Sequence, residues 1–160
     1  RSRGLGDVYK RQPQLYYGTE VMMNGVKSKS DGYVRKDFPG GWTGDATNAL
    51  TPAGRTKIQN ECYDFYKTIL NWRKGNDVIA KGSMVQFMVQ NGVYAYARQY
   101  EGKTIFVMLN GTDAETTVPL KFYKEILKDS KQGKDILSGK AITFGEELKM
   151  GPRESLVIEL

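Results

Sequence analysis

The sequence predicts an antiparallel all-β sandwich of about seven or eight strands, preceded by a long loop and one amphipathic helix. After Gly75 the apolar residues alternate with the two-residue period of a strand. Turn residues recur there roughly every eight to twelve positions, as in sandwich proteins. Between Thr51 and Gly75 the apolar residues instead follow the helical period. With 160 residues, 39% of them hydrophobic, the chain is long enough to bury a core.

The N-terminal part divides into a tail, a short strand signal and a long loop. Residues 1–12 show neither helical nor strand periodicity, and their glycines and mixed charges suit a tail. The run QLYY at positions 14–17, closed by Gly18, is typical of a buried strand that ends in a loop. Residues 19–50 are rich in glycine and have little periodicity. Loops of this length inside compact proteins are commonly functional, so a site is expected here.

A helix is predicted next. Thr51 suits the N-cap, Pro52 the first helical position and Gly75 the left-handed stop. Apolar residues between them recur at spacings of three and four and therefore share one face: Ile58, Cys62, Phe65, Ile69 and Trp72. This face needs a partner surface. Because the cysteine lies within the stripe, we interpret it as a small packed residue and not as a nucleophile.

The strands follow in the alternating part of the chain. A tight turn at Asn91-Gly92 joins the first two. In the second strand Tyr94 and Tyr96 are predicted to share one face, with the small residues between them on the other. The predicted strands are Met84–Val89, Val93–Arg98, Thr104–Leu109, Thr116–Leu120, Ile136–Leu137, Ala141–Phe144 and Ser155–Leu160.

The composition excludes several classes of chemistry. The chain has no histidine and one cysteine, which removes histidine-based triads, zinc sites built on cysteine pairs, and an internal disulfide framework. We therefore predict no metal ligand set and no cofactor in this chain. No apolar run of roughly eighteen residues occurs, so we predict no membrane-spanning helix.

The net charge of +6 does not predict nucleic-acid binding. Half of it falls in the first twelve residues, where four basic side chains oppose the single acid Asp7. The remaining lysines alternate with acids and apolar residues and form no basic stripe, which favours a solvated surface. We expect neither nucleic acid nor a membrane as a partner.

Asp31 and Arg35 are the candidate ligand-binding residues of the long loop. Four positions apart, they are close enough to converge on one ligand. A carboxylate accepts hydrogen bonds from neighbouring sugar hydroxyls, and a guanidinium donates two in a fixed fork. By spacing alone, the alternative is an exposed ion pair of little energetic weight. Trp42, which follows Phe-Pro-Gly-Gly, is either a stacking surface for a sugar or a plug that closes the loop against a core.

Two segments of the sequence resemble known glycoside hydrolases. PQLYYGTE at positions 13–20 is similar to the eighth barrel strand of the alpha-amylase superfamily. VRKDFPGGW at 34–42, followed by DATNAL and by a helix ending LNWRKGN, resembles the neopullulanase and cyclomaltodextrinase branch, especially starch-utilisation enzymes of gut Bacteroidetes. The alternating remainder is similar, in pattern and position, to that family's C-terminal β-sandwich.

The resemblance implies a mixed fold. Residues 13–75 become the last strand, the long loop and the last helix of a (β/α)8 catalytic barrel, and residues 76–160 become the C-terminal sandwich domain. Residues 1–12 have no counterpart in the family, and their ending GLGDVYKRQ resembles a translated sequencing-adapter tail. We therefore expect residues 1–12 to be a non-native tail, and the polypeptide to be the C-terminal part of a longer hydrolase.

The resemblance also implies a function: a retaining hydrolase that acts on the α-1,4-glucosidic bonds of starch or maltooligosaccharides. Asp31 and Arg35 match the family spacing that holds a glucose unit, while Tyr16, Tyr17 and Glu20 support the barrel rim. The catalytic carboxylates lie on earlier barrel strands, so no residue here is assigned a catalytic role and we expect the chain alone to be inactive. The resemblance is compatible with a calcium site in the intact parent. For the location of the protein it favours the periplasm, with the cytoplasm as the alternative.

A second class of protein is an alternative: an autonomous carbohydrate-binding or structural β-sandwich module with the helix packed across one sheet. The stretch of about 85 residues from Asn76 onward is large enough to fold alone. The barrel-strand motif and the long loop favour the hydrolase, because a binding module needs neither. Maltotriose binding that survives removal of residues 13–75 favours the module. Oligomeric state, preferred glucan, and the choice between hydrolysis and transfer are left open.

Overall fold

The computed structural model describes residues 15–160 in two compact units. The first comprises the described residues up to Lys67, and the second is Thr68–Leu160. The predictions for residues 1–12, and for Pro13 and Gln14, lie outside the described residues. The domain boundary expected after Gly75 stays a prediction.

The first unit consists mainly of loop. It contains three single-turn 3-10 helices, at Thr19–Val21, Gly32–Val34 and Pro52–Gly54. Leu15 and Tyr16, the end of the predicted buried strand, have no regular secondary structure. A strand is defined by its ladder to a neighbour, and no strand of the described residues pairs with this segment.

Helix α1 runs from Lys57 to Arg73 and begins later than predicted. Thr51, the predicted N-cap, instead precedes the separate 3-10 turn and makes no side-chain capping bond. The cap is Thr56, whose Oγ1 accepts a hydrogen bond from the backbone N–H of Gln59 at 3.3 Å. The Gln59 Oε1 accepts in return from the Thr56 N–H at 2.9 Å. This is a capping box, and its Thr-x-x-Gln signature is legible in the sequence.

The predicted apolar stripe of α1 is only partly covered. Ile58 is 62% exposed and Phe65 is also exposed, whereas Ile69 and Trp72 pack against the sheet of the second unit. Cys62 is half-buried, with its Sγ 3.6 Å from the backbone oxygen of Thr19. Within residues 15–160 no helix is both long and apolar enough to cross a bilayer.

The second unit contains eight antiparallel strands and confirms the predicted all-β sandwich. Its short helices are α2 (Asp77–Lys81) and α3 (Lys124–Leu127), the latter preceded by a 3-10 turn, Leu120–Tyr123. The six-stranded sheet has the order β1-β2-β3-β8-β5-β6, and β4 pairs with β7. The strands are β1 Ser83–Gln86, β2 Val93–Tyr100, β3 Lys103–Asn110, β4 Thr116–Pro119, β5 Gln132–Asp135, β6 Ala141–Thr143, β7 Glu147–Met150 and β8 Ser155–Glu159.

Two tight turns set the register of the first three strands. Asn91 and Gly92 have φ of 51° and 78°, and Glu101 and Gly102 have 48° and 80°. Two successive positive φ angles match the right-handed twist of the flanking strands. The predicted Asn-Gly turn is therefore confirmed, although β1 ends at Gln86 and not at Val89. Beyond it, only the isolated bridge from Gln90 to Val93 closes the turn.

The main core lies between the six-stranded sheet and the layer formed by β4, β7 and the segment 120–127. On β2 the predicted alternation is confirmed: the small residues Val93, Ala95 and Ala97 are fully buried. Tyr94 and Tyr96 lie on the opposite face with ring centroids 5.8 Å apart. A second cluster covers that opposite face, and its buried members are Val78, Ile105, Val107 and Val157.

Three local predictions were wrong. Strand β7 was missed, because its sequence ELKM carries two charges and lacks the β-branched residues of a typical strand. The strand predicted at Thr116–Leu120 ends at Pro119, and Leu120 instead begins a helical segment whose buried residues Leu120, Tyr123 and Ile126 have a three-residue spacing. The strand expected at Ile136–Leu137 is instead β5.

Asp135 is a buried carboxylate that joins β5 to β8. It is almost fully buried, and its Oδ1 accepts from the Val157 N–H at 3.0 Å. Its Oδ2 accepts from the N–H and the hydroxyl of Ser138, at 2.8 Å and 2.6 Å. Three donors therefore depend on one side chain, and a buried polar group without its partner is costly.

We expect Asp135→Ala to lower the free energy of unfolding by about 3 kcal/mol, because it leaves those three donors unpaired. Urea denaturation followed by circular dichroism measures the change. Asp129→Ala, at an exposed position, is the matched control and should change stability by less than about 0.5 kcal/mol. Equal effects of the two substitutions would contradict a structural role for the buried carboxylate.

Tyr123 is buried in an aromatic cluster. Its ring centroid lies 4.9 Å from that of Phe87 and 5.2 Å from that of Phe106. Within the described residues its hydroxyl has no hydrogen-bond partner. Desolvation by burial raises the pKa of this tyrosine, so the hydroxyl stays neutral.

Tyr123→Phe should leave the free energy of unfolding unchanged or raise it by about 1 kcal/mol, since it removes an unpaired buried hydroxyl and keeps the ring. Thermal and urea unfolding both report this. Phe87→Leu is the comparison, because it removes a ring from the same cluster and should destabilise. A loss of about 2 kcal/mol in Tyr123→Phe would show that the hydroxyl has a partner.

Candidate functional site

Asp31 and Arg35 flank the 3-10 helix Gly32–Val34 in the first unit. Asp31 Oδ2 and Arg35 Nη2 are 3.7 Å apart, and the side chains are 67% and 64% exposed. An ion pair this exposed adds little to stability, about 0–1 kcal/mol. The structure thus brings the two predicted site residues together and leaves both open to a ligand.

Tyr33 lies between the two site residues in sequence and is surrounded by cations. The Nζ of Lys29 is 4.6 Å from the ring centroid, and that of Lys36 is 4.4 Å from it. Lys29 Nζ also lies 3.4 Å from the Tyr33 hydroxyl. These contacts orient the ring and make the neighbourhood of Asp31 positive in charge.

Tyr16 and Tyr17 support the segment that follows Arg35. The Tyr17 hydroxyl donates to the backbone oxygen of Lys36 at 2.8 Å, and the two tyrosine rings are 4.6 Å apart. Desolvation, followed by the hydrogen bond with Tyr16, raises the pKa of Tyr17 above its ordinary value. The hydroxyl therefore keeps its proton and stays a donor at neutral pH.

The chain segments of this loop approach one another closely. A Cβ at Gly25 would lie 2.5 Å from the backbone oxygen of Tyr33 and 2.8 Å from the Cα of Val34. Only glycine fits such a backbone contact. Glu20 lies in the turn Thr19–Val21, where Val21 is buried and its backbone oxygen accepts from Gln59 Nε2 at 3.0 Å. Glu20 is thus adjacent to an anchoring point of the loop.

The Phe-Pro-Gly-Gly-Trp segment forms a turn held by Asp45. One carboxylate oxygen, Oδ2, accepts from the N–H of Gly40 at 2.7 Å and from that of Trp42 at 3.1 Å. The Trp42 side chain is 68% exposed. Of the two roles considered for this tryptophan, plugging the loop against a core does not occur within the described residues.

Arg55 is a structural anchor that sequence reasoning missed. Its Nε donates to Asn60 Oδ1 at 2.8 Å, and Nη1 donates to the backbone oxygen of Ala49 at 3.2 Å. The guanidinium also stacks 3.9 Å from the ring centroid of Tyr63. Its partners lie five, six and eight positions away in the sequence, and no regular spacing identifies such contacts.

A separate open groove of about 630 Å3 lies in the second unit beside Trp72 and Tyr100. The Trp72 Nε1–H donates to Glu159 Oε1 at 2.6 Å, so this tryptophan is fixed against β8. Within residues 15–160 no group of three or more carboxylate, thiol or imidazole side chains is placed to hold a metal ion.

Comparison with known proteins connects the second unit to one family. Residues 84–159 match the family model described as the cyclo-malto-dextrinase C-terminal domain. A cyclomaltodextrinase from Thermoanaerobacter pseudethanolicus is 27% identical over 149 residues, which cover 92% of this chain and 22% of that protein.

Solved structures agree on the fold. An alpha-amylase from Anoxybacillus superposes with a TM-score of 0.66 at 18% identity, covering 90% of this chain and 28% of that one. An alpha-amylase from Geobacillus thermoleovorans, complexed with acarbose, gives a TM-score of 0.64 at 20% identity with the same two coverages. The chain thus spans less than a third of the length of each of these relatives.

Proposed function

We infer that the chain carries the C-terminal β-sandwich domain of an alpha-amylase-family glycoside hydrolase, since residues 84–159 match the model of that domain in cyclo-malto-dextrinases, and from this premise we propose a role for its first unit. The unit supplies one side of an α-glucan-binding cleft in a retaining hydrolase of the cyclomaltodextrinase or neopullulanase type. Asp31 and Arg35 contact the sugar. The observation that carries this proposal is the alignment with a cyclomaltodextrinase over 92% of the chain, because it extends beyond the sandwich into the long loop.

The geometry of the pair suits a sugar. Vicinal hydroxyls of a glucose unit present donors and acceptors about 3 Å apart, and a carboxylate beside a guanidinium supplies the complementary set. The 3.7 Å separation is longer than a tight hydrogen bond. A ligand that bridges the two groups therefore replaces only a weak interaction between Asp31 and Arg35.

The surrounding loop favours a binding role for the pair. The 3-10 helix between the two residues fixes their backbones, and the Gly25 contact and the Tyr17 hydrogen bond hold the flanking chain in place. Such preorganisation lowers the conformational entropy lost on binding. Among the relatives, the Geobacillus thermoleovorans alpha-amylase was solved with acarbose, which supports an oligosaccharide as the ligand class.

Catalysis is proposed to reside in other parts of the parent enzyme. Retaining glycosidases need two carboxyl groups about 5 Å apart on opposite sides of the scissile bond. Asp31 is paired with Arg35, and Glu20 lies in a turn whose backbone anchors the loop. Neither is given a catalytic role. The C-terminal sandwich is proposed to stabilise the enzyme and not to bind the reacting sugar.

We expect the 160-residue chain to release no reducing sugar from pullulan, cyclodextrin or maltohexaose. A sensitive reducing-end assay over a day at neutral pH tests this, with an intact cyclomaltodextrinase as the positive control. Turnover that Asp31→Ala or Glu20→Gln abolishes would show that catalytic acids lie in this segment after all.

Maltohexaose binding should be about tenfold weaker in Asp31→Ala and in Arg35→Ala, since each substitution removes charge-assisted hydrogen bonds to the sugar. Isothermal titration calorimetry measures the dissociation constants. The matched control is Lys57→Ala/Glu61→Ala, which removes another exposed pair with the same four-residue spacing. If both site variants bind as tightly as the unmodified chain, the pair is only a surface ion pair.

A further inference from the structure

We propose that Trp42 is a stacking surface for a second glucose unit of the glucan that Asp31 and Arg35 contact. This inference rests on the proposed function and adds a specificity-determining residue to it. An indole face is large and apolar, and it complements the C–H face of a glucose ring, because the equatorial hydroxyls point outward from the ring edge and stay hydrated when that face is covered. Stacking and hydrogen bonding would then act on different units of one glucan.

The exposure of Trp42 is the first support for this role. The chain has two tryptophans, and they differ in burial and in hydrogen bonding. Trp72 is packed against the apolar cluster of the second unit, and its N–H is bonded to Glu159. Trp42 is 68% exposed. Leaving most of an indole in water forgoes about 2 kcal/mol of hydrophobic stabilisation, which a bound sugar can recover.

The hydrogen-bonded turn that carries Trp42 is the second argument for a stacking role. Its own N–H and that of Gly40 are both bound by Asp45, and its backbone oxygen accepts from the Asp45 N–H at 3.3 Å. Just before it, the Pro39 oxygen accepts from the Ala49 N–H at 2.9 Å. Gly40 has a φ of 95°, and a Cβ at this position would lie 2.7 Å from the Cα of Asn48. The exposed indole therefore projects from a fixed turn, and only two side-chain torsions need to be ordered on binding.

The three tyrosine rings of the loop already have contacts. Two lysine ammonium groups lie against Tyr33, and Tyr16 and Tyr17 contact each other. Within the described residues no ring or cation contact involves Trp42. Its indole, the most exposed of the large hydrophobic side chains between residues 15 and 50, is thus open to a planar apolar ligand surface.

The experiment uses the full chain labelled with 5-fluorotryptophan, which gives two fluorine NMR signals, and maltohexaose as the probe. Trp42→Phe assigns them. We expect the Trp42 signal to shift and saturate with sugar while the Trp72 signal stays in place. In calorimetry, Trp42→Ala should raise the dissociation constant about tenfold and Trp42→Phe less than about threefold. Phe122→Ala, an exposed aromatic of the second unit, should have no effect.

The possible failures are distinguishable. If Trp42→Ala binds maltohexaose normally while Asp31→Ala does not, the stacking role is wrong and the proposed function stands. If no glucan binds the unmodified chain, both fall. If the Trp42 signal shifts with protein concentration in the absence of sugar while the Trp72 signal does not, the indole contacts protein and the stacking role is again wrong.

Discussion

Strand β3 is buried on both faces, and the second unit depends on this double burial. Phe106 and Met108 belong to the main core, whereas Ile105 and Val107 belong to the cluster on the other side. A strand with period-two side chains can serve two cores only if both faces are apolar. Strands β2 and β8 pair with β3 on its two sides. Asp135 of β5 then accepts a hydrogen bond from the Val157 N–H of β8, which links β5 to the same sheet.

The first unit is built on a different principle. Among its described residues only Val21 and Ala49 are buried apolar side chains, so packing contributes little. Polar side chains instead satisfy the backbone: Asp45 binds two N–H groups, Gln59 binds the Val21 oxygen, and Arg55 binds the Ala49 oxygen. Such a scaffold holds a loop in one conformation while leaving its charged and aromatic side chains at the surface. That combination suits a ligand-binding rim.

The sequence was informative where the pattern is local and regular. The Asn-Gly turn and the alternation of β2 follow from backbone rules that need no tertiary context. The start of α1 could also have been found, because Thr56 and Gln59 form a recognisable capping box. Strand β7 could not, because its pairing with β4 depends on a partner about thirty residues away. The site residues were identified by resemblance, whereas the anchoring roles of Asp45 and Arg55 depend on three-dimensional contacts that spacing does not encode.

The central claim is that glucan recognition lies in the loop of the first unit and that the sandwich is structural. Backbone amide NMR of the uniformly labelled chain during titration with maltohexaose tests it most directly. The account predicts saturable shifts concentrated between residues 29 and 45, with the amides of β1 to β8 unchanged. Shifts confined to residues 83–159 would contradict it and would identify the sandwich as an autonomous carbohydrate-binding module.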